Sequence, residues 1–212
     1  MFYKFINFYK KNYFTIFLIT FLYSLLNIFF MLKLTPYMAG TDIVSAFGTA
    51  FYNVGTIIII QELVRVVFMS VFIGIILNIL GGGTPTIKDY KSFFSFPLIG
   101  RLIILDFFVI IVAIGGMMLL IVPGIIWFVL VCFSYFLMVL NPKTPILEAI
   151  IKSISLTKGY RLNIFLLFMV YGFFSFIETI NPYLSIIIDL VIIPGFYFFL
   201  GLMFFDLKQR EI

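Results

Sequence analysis

Long apolar runs, parted by four islands of basic residues, constrain this chain more than any other feature. The islands are Lys4, Lys10 and Lys11; Lys88, Lys91 and Arg101; Lys143, Lys152, Lys158 and Arg161; and Lys208 with Arg210. They contain all but Lys33 and Arg65 of the 14 Lys and Arg residues. A helix rises about 1.5 Å per residue, so about 20 apolar residues cross a hydrocarbon layer of about 30 Å. The stretch Leu102–Leu140 would span about 58 Å as one helix, enough for two crossings and a tight turn between Gly115 and Gly124. Leu162–Phe205 divides in the same way at Asn181-Pro182. Basic loops stay on the cytoplasmic side. An even number of crossings between islands therefore keeps all four there.

The expected fold class is all-α: a polytopic transmembrane helical bundle of about six spans with both termini cytoplasmic. Residues 1–212 read as a single integral membrane domain. The spans fall near 13–32, 61–80, 102–120, 123–140, 162–180 and 184–205. The first basic island precedes an apolar run, Phe14 to Leu32, that is too long for a secretion-signal core and lacks a small-residue cleavage site. It reads as an uncleaved span. The longest outer segment, from Lys33 to about Gly55, carries Asp42. The expected location is the cell membrane, plasma or inner.

Composition agrees. The chain is 64% hydrophobic and 11% charged, against about 45–50% and about 25% in soluble domains. A core of this size cannot bury that much apolar surface, so lipid is its natural solvent. There is no histidine, which removes the commonest general base and metal ligand. The one cysteine, Cys132, cannot form an internal disulfide or a thiolate metal site. It reads as a small buried apolar residue. The formal net charge of +5 lies in the gaps between apolar runs and reads as membrane orientation, not nucleic-acid binding. No catalytic residue and no cofactor is expected.

Two loops carry local signals. Gly81-Gly82-Gly83-Thr84-Pro85-Thr86 lacks the lysine and hydroxyl residue of a phosphate-binding P-loop and reads as a helix stop. Thr86 with Asp89 resembles a capping box. The third island predicts an amphipathic interfacial helix over 145–158. Thr144 caps it, Pro145 opens it, Glu148 and Lys158 suit its dipole, and Gly159 ends it. Leu147, Ile150, Ile151 and Ile154 share one face; Glu148, Lys152 and Ser155 share another. That face serves either as a docking surface for a partner or anionic lipid, or as a connector tucked against the bundle.

An internal echo links "IVPGIIWF" at Ile121–Phe128 with "IIPGFYFF" at Ile192–Phe199, and "RLII" at Arg101 with "RLNI" at Arg161. Duplication explains it, and so does low-complexity apolar sequence. The segment "LLIVPGIIWFVLVCFSYFLMVLNPKTPILEAIIKSISLTKGYRLNIF" also resembles an uncharacterised prokaryotic six-helix membrane protein family. It is similar to the membrane domain attached to some glycerophosphodiester phosphodiesterases. The pattern falls on Pro123-Gly124, Glu148-Ala149, Ser153 and Thr157-Lys158-Gly159. The resemblance implies a six-helix bundle. It does not bring the phosphodiesterase activity, because the soluble barrel that carries it is absent from these 212 residues.

Charged side chains inside spans are functional candidates by default. Glu62 and Arg65 fall in the outer half of the second span. Asp106 falls near the inner end of the third, Glu178 at the end of the fifth, and Asp189 near the outer end of the sixth. Similar depth predicts an Arg65–Asp189 pair, with Glu178 as the alternative partner. Structural ion pairing competes with a polar site for a substrate or proton. A non-catalytic membrane component contacting lipids or other membrane proteins leads the functional expectations. A small transporter or permease subunit and an intramembrane lipid-acting enzyme follow.

Overall fold

The computed structural model describes residues 16–30, 46–83, 92–119, 121–180 and 185–210. The first basic island, Lys33, Asp42, the Thr86–Asp89 capping box and the Asn181-Pro182 turn lie outside them. The described residues form seven helices and no strand: α1 Ile16–Phe30, α2 Ala46–Leu80, α3 Phe96–Leu119, α4 Ile121–Leu140, α5 Ile146–Leu156, α6 Arg161–Ile180 and α7 Ser185–Arg210. Four contain segments long and apolar enough to cross a membrane: Ile59–Leu80, Phe96–Met118, Val122–Leu140 and Leu190–Gln209. The bent pair of α5 and α6 raises the number to five. The chain is a multi-pass helical membrane protein.

The helices pack with alternating sense. Residue pairs across α3 and α4 run antiparallel: Gly116 meets Gly124, the Trp127 indole N–H donates to the Val109 carbonyl at 3.2 Å, and the Tyr135 hydroxyl reaches Asp106. Across α1 and α2, Asn27 meets Gln61 and Tyr23 stacks near Phe68, again antiparallel. Between α2 and α7 the register advances together, with Phe72 on Tyr197 and Ile76 on Gly201, so these two helices run parallel.

The tightest joint is the α3–α4 hairpin. A Cβ placed on Gly124 would lie 2.9 Å from the Ala113 carbonyl oxygen. Real Cβ atoms do not approach backbone that closely, so glycine lets the two helices close on one another. Below this joint the core is aromatic. Phe133, Phe136 and Phe204 are fully buried with ring centroids 5.4 to 6.1 Å apart, tying α4 to α7. Outward, large apolar side chains such as Phe107, Leu162, Phe173 and Phe176 stand exposed along α3 and α6. In water such a surface would aggregate; in lipid it is solvated.

Glycine ends α2 as the sequence suggests. Gly81, Gly82 and Gly83 donate back to Leu77, Ile79 and Asn78 carbonyls, so this run satisfies the helix's last acceptors. The expected helix over 145–158 forms as α5, with differences. Pro145 sits at its N-cap and no side chain caps it, so Thr144 does not play that part. The buried face is Ala149, Ile150, Ser153 and Leu156, while Leu147 and Ile151 remain 66% and 59% exposed. Hydrophobicity alone misplaced the face, because the small residues Ala149 and Ser153 allow the close approach to α4. Gly159 adopts φ +86° and ends the turn, as its left-handed freedom predicts.

Candidate functional site

Three of the intramembrane charges, Glu62, Arg65 and Asp106, gather where α2, α3 and α4 meet. Arg65 Nε donates to Glu62 Oε2 at 2.6 Å, one helical turn away on α2. Arg65 Nη2 donates to Asp106 Oδ2 on α3. The Tyr135 hydroxyl, from α4, donates to Asp106 Oδ1 at 2.7 Å. Both oxygens of Asp106 are therefore engaged by side chains of other helices. The Asp106 side chain is 10% exposed, Arg65 32% and Glu62 46%. The network grades from a dry carboxylate to a half-open one, which lets Glu62 reach water or headgroups while Asp106 relies on its protein partners.

Arg65 thus has a cross-bundle partner that the sequence reading did not name, Asp106; the side chains of the expected partners, Asp189 and Glu178, lie outside the described residues. Depth is what brings Asp106 within reach. Helix α3 begins at Phe96, six residues before the expected span at 102. Those residues carry Asp106 about 9 Å further along its helix than the expected inner end implied. Asp189 and Glu178 are placed by backbone alone, on α7 and at the end of α6. Of the five candidate groups, the structure brings together Glu62, Arg65 and Asp106. Sequence reasoning missed Tyr135. Its only signal was a hydroxyl within a buried run, which predicts that some partner exists but not which one.

The network forms part of the wall of a cavity of about 250 Å³ inside the bundle. Arg65, Asp106, Tyr135, Tyr171 and Tyr197 supply its polar atoms, and the rest of the wall is apolar. A smaller cavity of about 70 Å³ opens toward α1 and shares Arg65, Tyr171 and Tyr197 with the first. Arg65 thus stands between two spaces. The rings of Phe168, Tyr171 and Tyr197 surround Phe196, at centroid distances of 4.7 to 5.5 Å, on the α6–α7 side. Such a space accommodates water at its polar wall or the apolar part of a small amphiphile.

A second polar assembly lies at the end of α4. The Arg101 guanidinium donates to the Pro142 and Thr144 carbonyls, gripping the loop between α4 and α5. Ser153 is fully buried. Its hydroxyl donates to the Leu130 carbonyl at 2.7 Å and accepts from the Phe133 N–H at 3.1 Å. It is built into the backbone of α4, and Ser134 returns a bond to Ala149 at 3.4 Å. Cys132 is buried beside Val129, in keeping with a packing role. Among the described residues no group of three or more His, Cys, Asp or Glu side chains could hold a metal ion. No family model, no curated protein and no solved structure matches the chain.

Proposed function

We propose that this chain is a non-catalytic component of the cell membrane, crossing it six times with both termini cytoplasmic, that contacts lipids and other membrane proteins. The observation that carries the reading is the use made of Asp106. Its two oxygens bind Arg65 and Tyr135, so the most buried charge among the described residues fastens three helices together. A carboxylate held this way acts as a structural junction. The alternating sense of successive helices supports six crossings, since α1, α3 and α6 oppose α2, α4 and α7. The likeness to the prokaryotic six-helix family and to phosphodiesterase-linked membrane domains belongs to this proposal. Three of its motif residues have structural work here: Gly124 in the hairpin, Ser153 in the α4 backbone and Gly159 at the end of α5.

The cavity favours a second reading, a small transporter or permease subunit that carries a polar solute past Arg65. Swelling of reconstituted liposomes in isosmotic glycerol, sugar and amino-acid solutions separates the two. The component reading expects the rate of protein-free liposomes. Faster swelling for one solute, abolished by Tyr197→Trp, which would fill the cavity, supports transport.

A further inference from the structure

We propose that the corner formed by α5 and the start of α6 is a docking site for anionic phospholipid headgroups, recognised by Lys143, Lys152, Lys158 and Arg161. The inference rests on the membrane-component reading and names one of its lipid contacts. Helix α4 ends at Leu140 and α6 leads back from Arg161, so the segment between them turns the chain around at one face of the bundle. Helices α5 and α6 meet at 105°. With α6 across the membrane, α5 lies nearly in its plane, at the level where headgroups meet acyl chains.

The faces of α5 suit that position. Ala149, Ile150, Ser153 and Leu156 are buried, and the Ser153 hydroxyl fixes the helix to α4. Leu147 and Ile151, one turn apart, project away from the bundle. Exposed apolar side chains on a helix lying in the interface enter the acyl boundary. Lys152 and Glu148 lie beside them and pair at 2.7 Å. From Asn141 to Arg161 the formal charges are Lys143, Lys152, Lys158 and Arg161 against Glu148, a net +3. All four basic residues are exposed. The nearest acid on α7, Asp206, accepts the Tyr160 hydroxyl at 2.9 Å, and Lys208 follows it. Among the described residues the corner therefore keeps its positive excess when its neighbours are included.

Charge decides the class of lipid. A zwitterionic headgroup brings its own cation to a surface that already has an excess of three. A headgroup with phosphate charge alone satisfies that excess. Each basic residue near an anionic surface favours binding about fivefold.

The test counts lipids on the full chain. Purified protein in neutral detergent is titrated with phosphatidylglycerol or phosphatidylcholine, and retained lipid is measured by native mass spectrometry. The wild type should retain the anionic lipid at least about tenfold more tightly, with the preference lost near about 1 M salt, where screening acts within about 3 Å. Lys143→Gln, Lys152→Gln, Lys158→Gln and Arg161→Gln together should abolish it; Lys88→Gln with Lys91→Gln should leave most of it. Trp127 emission reports whether each variant is folded. Should the fourfold variant fail to fold, a phosphatidylglycerol bearing a photoreactive headgroup should label residues 143–161 of the wild type. Equal retention of both lipids, or labelling elsewhere only, overturns the docking site. Protein that resists alkaline carbonate extraction yet shows no lipid preference refutes this inference alone. Solute flux in the swelling assay refutes the component reading instead.

Discussion

The two polar assemblies of this bundle solve different problems. At the junction of α2, α3 and α4, side chains bind side chains: Arg65, Glu62, Asp106 and Tyr135 satisfy one another. At the α4–α5 corner, side chains bind backbone: Arg101 and Ser153 hold carbonyls and an N–H. The difference follows from the backbone around each. In the middle of a helix the carbonyls are taken by the helix itself, so a buried cation needs a carboxylate. Where α4 turns into α5, the Pro142 and Thr144 carbonyls are left over, and Arg101 supplies their missing donors. Ser153 instead places its hydroxyl, which both donates and accepts, between the Leu130 carbonyl and the Phe133 N–H in the middle of α4. The junction is thus sensitive to charge and the corner to geometry.

That contrast can be broken at graded cost. The largest effect is expected for Asp106→Ala, which leaves Arg65 with Glu62 alone and takes the Tyr135 hydroxyl's partner away. Removing one partner of a buried pair costs about 3–5 kcal/mol, and the one-third exposure of Arg65 places this case at the lower end. A lowered midpoint in an SDS titration followed by Trp127 emission checks it. Ser153→Ala comes next. It leaves the buried Leu130 carbonyl and Phe133 N–H without this partner, a loss of about 1–3 kcal/mol. Faster proteolysis of 141–160 should accompany it, because α5 loses its fixed point on α4.

Gly159→Ala should cost about 1 kcal/mol, since φ +86° is unfavourable for any residue with a Cβ. The smallest effect is expected for Glu148→Gln. The Glu148–Lys152 pair is about half exposed and spans one helical turn. Its loss should shift stability by no more than about 0.5 kcal/mol. A large loss there would place α5 in a drier setting than its exposure indicates.

Legibility in the sequence divides along the same line. The bundle was readable because lipid imposes length and apolarity on each helix, and the basic islands mark the breaks. The corner was largely readable because its signals are local: Pro145, Gly159 and the apolar spacing of 146–156 lie within a few residues of one another. Its buried face was misread, because Ala149 and Ser153 are chosen for close packing and not for hydrophobicity. The junction was half readable. Glu62, Arg65 and Asp106 stood out as charges in apolar runs. Their pairing depends on the relative depth of α2 and α3, and the six-residue extension of α3 altered that depth. Tyr135 was invisible because its partner is 29 residues away.

The most direct test of the account is a double-mutant cycle on Arg65→Gln and Asp106→Asn, measured by SDS-titration stability in mixed micelles. Asp106→Asn keeps the shape and removes the charge; Arg65→Gln removes the charge and keeps a shorter polar side chain. If the pair fastens α2 to α3, each single change should destabilise, and the double should cost less than their sum by at least about 1.5 kcal/mol. Strictly additive losses would mean that Arg65 and Asp106 act independently, contradicting the junction on which the fold and the proposed function rest.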